Sequence, residues 1–204
     1  PRLCRDWSSD VCSSDLSDYL KSVGEGLGLE VIQDKALNII IKKPGTKGYE
    51  DKPIIVLQGH MDIVCEKSDN IEFDFKKDSI RLSLEGDFVM AKDTTLGGDN
   101  GIAVAMSLAL LESKDIPHPP LEVLVTTNEE TGLTGAAALD PAFIDGRILI
   151  NIDSEEEGTI LVSCAGGERN ILTISTTMTE VDSDKKAYNL RVSGLLGGHS
   201  GMEI

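Results

Sequence analysis

The sequence predicts an α/β layer fold. Three observations carry this. Residues 54–57, 121–126 and 147–152 are short, largely apolar runs, the mark of strands covered on both faces. Between them lie stretches that read as helices, at 102–111 and 131–139. Each run also delivers polar residues: Gly59-His60-Met61-Asp62 after the first, Asn128-Glu129-Glu130 after the second and Asp153 after the third.

Taken in order, residues 1–15 are read as an arm, non-native or disordered, outside the fold. They contain a near-repeat, Ser-Ser-Asp followed by an apolar residue, and no sustained period. Leu16, Tyr19, Leu20, Val23 and Leu27 then fall at helical spacing, and Gly24, Gly26 and Gly28 end that helix. Residues 29–33 and 38–42 are a pair of strands. Residues 44–52 form a polar loop before the run at 54–57. Residues 80–84 and 88–90 flank Glu85-Gly86-Asp87 as a hairpin. The helix at 102–111 is apolar nearly all round, so burial is expected. Pro117, Pro119 and Pro120 break the chain before 121–126, and His118 between them is structural or exposed. Residues 159–163, 170–177 and 188–193 alternate as three further strands. Residues 16–180 are assigned to one domain, and 181–204 to the start of a second, α+β unit cut short.

Aromatic residues make up 4% of the chain, so the core must be built from Val, Ile, Leu and Ala. Lys and Arg number 19 against 35 Asp and Glu, a net charge of −16 that repels nucleic acid and anionic membranes. No apolar run of about 18 residues predicts a membrane helix. Cys4, Cys12, Cys65 and Cys164 form no metal or disulfide pattern and read as scattered reduced thiols of a cytosolic protein. Any metal must therefore be held by histidine and carboxylates.

The stretch Asp93-Thr94-Thr95-Leu96-Gly97-Gly98-Asp99-Asn100-Gly101 sets one carboxylate among glycines at the mouth of the apolar helix. Glycine lets backbone come close, and the two oxygens of Asp99 can bridge two cations. His60, Glu129, Glu130 and Asp153 each follow an expected strand, where α/β sheets gather ligand groups. His60 and Asp62, spaced i and i+2, share a face on extended chain. His60 would bind metal and Asp62 would hold its imidazole, with a solvated turn as the competing reading. Glu129 and Glu130 point apart on extended chain, so one could ligate while the other acts as base. An acidic cap before a helix competes for Glu129. Asp153 is read as a ligand, and Glu155, Glu156 and Glu157 as a solvated loop. His199, in Gly197-Gly198-His199-Ser200-Gly201, is either a hydrogen-bond donor to a reaction intermediate or a surface residue.

The series 57–62 (Leu-Gln-Gly-His-Met-Asp), 94–101 (Thr-Thr-Leu-Gly-Gly-Asp-Asn-Gly), 127–130 (Thr-Asn-Glu-Glu), 151–155 (Asn-Ile-Asp-Ser-Glu) and 197–201 (Gly-Gly-His-Ser-Gly) resembles the M20 metallopeptidases in their aminoacyl-histidine dipeptidase branch. The resemblance runs from about residue 16 to the end of the chain. It implies a zinc-exopeptidase-like catalytic domain, a mixed sheet flanked by helices, followed by the start of an α+β lid domain. It implies a cytoplasmic dipeptidase, a homodimer at full length, with two divalent ions, zinc or else manganese or cobalt, and a dipeptide such as Xaa-His as substrate. His60 and Asp153 would bind one ion and Glu130 the other, with Asp99 bridging. Asp62 would be the supporting carboxylate and Glu129 the general base. His199 would reach a neighbouring subunit's site and stabilise the oxyanion. The family's last metal ligand, a late histidine, lies beyond this chain. Another hydrolase of the family, a tripeptidase or N-acyl amino-acid amidohydrolase, is the alternative enzyme. A non-catalytic acidic cation-binding protein is the alternative of another class.

Overall fold

The computed structural model describes residues 12–154, 156, 158–164, 171–175, 177, 180, 184–186 and 188–191. The chain divides into two compact units, Pro1–Leu161 and Val162–Ile204. The regular structure among the described residues lies in the first.

Helix α1 (Cys12–Gly26) buries Leu16 and Leu20. It begins earlier than expected, so residues 12–15 are helical rather than part of an arm. Asp15 in the first turn favours this, because a carboxylate there meets the positive end of the helix dipole. The helix ends through Gly28, whose φ of +71° suits glycine, with the Leu29 N–H bonded to the Gly24 carbonyl at 3.0 Å.

Strands β1 (Glu30–Gln33) and β2 (Ile39–Lys43) pair antiparallel. Strand β3 (Ile55–His60) follows, then a separate hairpin of β4 (Leu82–Glu85) and β5 (Phe88–Ala91). Helix α2 (Gly98–Glu112), strand β6 (Leu121–Thr126), helix α3 (Thr134–Ala138) and strand β7 (Ile148–Asn151) complete the unit. The main sheet has the order β1-β2-β6-β3-β7. β2 meets β6 antiparallel, whereas β6, β3 and β7 run parallel, so the sheet is mixed.

Period-two alternation builds the two faces. Ile39, Ile41, Leu57, Val123 and Val125 meet Leu16, Leu20, Val104 and Leu111 on the face covered by α1 and α2. Ile40, Val56 and Leu124 meet Leu139, Phe143 and Ile144 on the other. β6 is buried along its whole length, as a central strand with both faces covered.

Several expectations are corrected. β7 is not buried: Ile148, Leu149 and Ile150 are exposed, because β3 alone pairs with this edge strand. α2 is buried on one side only. Ala103, Val104, Ser107 and Leu111 are covered, while Ile102 and Met106 are about half exposed (57% and 49%). An all-round apolar helix needs neighbours on every side, and the packing described for α2 is against β3. The strands expected at 159–163, 170–177 and 188–193 are not formed among the described residues there. Alternation favours a strand, but a strand also needs a hydrogen-bonded neighbour, and Ile160, Leu172 and Leu190 stand almost fully exposed.

Because β3, β6 and β7 are parallel, their carboxyl ends open on one edge. The register pairs His60 with Thr126 and Gln58 with Asn151, which brings the residues that follow to a common level.

Candidate metal centre

His60 closes β3 and is almost fully buried. Its Nε2 lies 3.0 Å from Asp99 Oδ1, 3.5 Å from Asp153 Oδ1 and 4.0 Å from Glu129 Oε2. His60, Asp99 and Glu130 each offer a ligand atom, all within 4.8 Å of one another. Six of the seven expected site residues, Asp62 included, thus meet at one edge of the sheet. The seventh, His199, lies outside the described residues.

Local structure places each group. The loop before α2 is tied to the segment after β3: the Thr95 N–H bonds the Glu66 carbonyl at 2.9 Å, and the Ser68 N–H bonds the Asp93 carbonyl at 3.0 Å. Gly97 caps α2 in the left-handed region, φ +80°. Asp99 and Asn100 keep non-helical backbone, so the regular helix begins beyond them. The peptide between these two residues is cis.

Glu129 and Glu130 are not extended, as the sequence suggests. They occupy a turn after Asn128, itself left-handed at φ +53°. Asp62 makes that turn. Its Oδ1 accepts from the Glu129 N–H and its Oδ2 from the Glu130 N–H, both at 3.0 Å. Its carboxylate stands 3.5 Å from His60 Nδ1, whereas its own backbone carbonyl is closer, at 2.9 Å. The Asp62 side chain therefore orders the two glutamates at least as directly as it orders the imidazole.

A further network holds the base of this turn. Buried Asn38 donates to the Gly135 carbonyl at 2.9 Å and accepts from the Thr127 N–H at 3.0 Å. A Cβ at Gly135 would collide with the Thr127 carbonyl, so only glycine lets α3 come this close. The sequence reading missed Asn38. A polar residue opening a run of isoleucines was the available signal.

The electrostatics are those of an anionic bowl with one proton in it. Burial disfavours the charged imidazole of His60, but Asp153 and Asp62 outweigh burial and hold its pKa up at about 11. Burial, then the neighbouring Asp153, raises the Asp99 carboxyl. Burial raises Glu129, and burial with Asp99 raises Glu130. Asp153 is lowered by its bond to His60. Burial would raise Asp62, but His60 and the two peptide N–H groups bring it below the ordinary carboxylate range.

One imidazolium cannot neutralise Asp62, Asp99, Glu129, Glu130 and Asp153 together. Divalent cations would offset more of that charge, and the donor set fits them: imidazole nitrogen and carboxylate oxygens at the open ends of rigid strands. Such an ion would compete with a proton for the imidazole of His60.

Comparison with known proteins finds peptidases. No protein-family model matches the chain. The cytosol non-specific dipeptidase of Escherichia coli (strain K12) is 42% identical over 189 residues, 93% of this chain and 39% of its own length. The crystal structure of aminoacylhistidine dipeptidase from Vibrio alginolyticus superposes with a TM-score of 0.73 at 43% identity, covering 77% of this chain and 32% of that one. Aminopeptidase PepT from Bacillus cereus ATCC 10987 gives a TM-score of 0.60 at 27% identity, over 74% of this chain and 40% of that one. The chain therefore spans well under half the length of these proteins. Related in sequence over nearly all its residues and in fold over most of them, it belongs with the M20 metallopeptidases of the aminoacyl-histidine dipeptidase branch.

Proposed function

We propose that this chain carries most of the metal-binding edge of a dinuclear metallopeptidase that hydrolyses the amide bond of dipeptides such as Xaa-His. The convergence of His60, Asp99, Glu129, Glu130 and Asp153 at one sheet edge carries the reading. His60 and Asp153 would hold one ion and Glu130 the other, with Asp99 within reach of both. When bound, two zinc ions, or manganese or cobalt, would supply an acidified water and positive charge for the scissile carbonyl. Glu129 accepts the water's proton and passes it to the leaving amine. Its raised pKa suits a group that must hold a proton between those steps. Asp62 keeps Glu129 and Glu130 aimed through their N–H groups. His199, from a neighbouring subunit of a cytoplasmic homodimer, steadies the oxyanion. Residues 181–204 open the lid domain that presents it.

The test is made in the complete protein. Glu129→Ala should abolish dipeptide turnover while zinc stays bound at two per chain. Turnover at the wild-type rate would remove Glu129 from its role. The similarity to aminopeptidase PepT favours a second reading, an aminopeptidase. Profiling Xaa-His dipeptides against tripeptides and acylated amino acids separates the two.

A further inference from the structure

Asn100 sits between the strands that deliver His60 and Asp153, and its side chain is buried. Its Nδ2 donates to the Ile152 carbonyl at 2.6 Å, and its Oδ1 accepts from the His60 N–H at 3.2 Å. The surrounding ladder gives these bonds their meaning. β3 and β7 are parallel, and the Ile152 N–H already bonds the Gln58 carbonyl at 2.8 Å. In a parallel ladder the next rung would run from the His60 N–H to the Ile152 carbonyl. That rung is not made. The amide of Asn100 stands in its place, satisfying both groups across a wider gap.

Gly59 completes the device. A Cβ there would collide with the Asn100 side-chain oxygen and come within 2.6 Å of Ala103 Cβ. Glycine is what admits the amide. Asn100 also follows Asp99 directly. One side chain thus bonds the backbone of His60 and of Ile152, the residue before Asp153.

We infer that Asn100 is a positioning residue, an inserted rung that holds the carboxyl ends of β3 and β7 one amide apart and so sets the His60–Asp153 spacing for a divalent cation. This rests on the metal site proposed above. Without the amide the strands can close, and the direct rung forms. The imidazole and the carboxylate of Asp153 then move together, and the space for an ion shrinks. The fold keeps its hydrogen bonds while the site loses its geometry.

The test uses the complete protein and cobalt(II), read by visible absorption and by competition with a chelator. Asn100→Ala should weaken binding of one cobalt by about 10- to 100-fold, the usual cost of losing an outer partner of a ligand. The d–d bands of that ion should change. Asn100→Asp keeps the acceptor for the His60 N–H but cannot donate to Ile152. Its added negative charge favours cations, so weaker binding in this variant reports the lost donor rather than electrostatics. Wild-type affinity and spectrum in Asn100→Ala would overturn the inference. If that variant does not fold, cobalt bound by Asn100→Asp as tightly as by wild type would do so. Failure of the wild-type protein itself to bind cobalt stoichiometrically would instead sink the metal site.

Discussion

Acidic side chains gather at both ends of β6, one of them buried at each end, Glu122 and Asp62, and the chain treats the two clusters differently. At the amino end Glu122 is almost wholly buried, yet every demand on it is met. Lys42 Nζ lies 3.3 Å away, and the N–H groups of Asp145 and Gly146 donate at 3.1 and 3.0 Å. Lys42 also reaches Asp145 at 2.6 Å, which raises its own pKa despite partial burial. At the carboxyl end five carboxylates share one imidazole. The first cluster is what a stable fold requires of a buried charge. The second leaves negative charge in surplus, which a fold tolerates when something else is to bind there. Burial of an acidic residue is therefore uninformative by itself; the supply of partners separates structure from site.

The difference predicts which property each substitution will move. The largest effect is expected from Glu129→Ala in the complete protein, a fall in turnover of about 10²- to 10⁴-fold or more, with unfolding in urea little changed. Glu122→Ala should do the reverse. It leaves two peptide N–H groups without their acceptor and Lys42 with Asp145 alone, and should cost about 3 kcal/mol by denaturant titration while zinc stoichiometry is unaffected. A loss of zinc in that variant would show that the two ends are coupled.

Protonation distinguishes the ends further. The folded-state pKa of His60 is raised from 6.5 to about 11, so its charge stabilises the metal-free protein fully below pH 6.5. That contribution should fade as pH rises towards 11, seen as a falling melting temperature. Zinc displaces the same proton, so its affinity should rise by about tenfold per pH unit between pH 6 and 8. A flat profile would mean that the imidazole is already neutral in the metal-free protein. The smallest effect is expected at the surface. Lys77 pairs with Asp74 at 2.9 Å on the surface, and Lys77→Ala should change neither melting temperature nor zinc binding measurably.

The core strands were legible in the sequence because their alternation and their burial have the same cause. Ile39, Ile40 and Ile41, or Val123, Leu124 and Val125, can be apolar throughout only where both faces are covered. β7 reads the same way and is exposed, since composition does not reveal which strand ends a sheet. His60, Asp99, Glu130 and Asp153 were legible as candidates because each ionisable group follows a strand or opens a helix, where burial would otherwise be costly. The Asp62 clamp on two peptide N–H groups was not legible, nor was the amide of Asn100 between β3 and β7. Their partners lie 67 and 68, and 40 and 52, positions away.

By itself the sequence determined where β1 to β7 lie and which residue types stand at their ends, because periodicity and turn chemistry act over a few neighbouring positions. The tertiary structure alone decided that β3, β6 and β7 lie side by side and parallel, and hence that those ends share one edge. Strand order is set by packing and hydrogen bonding between segments far apart in the chain, which no local pattern encodes.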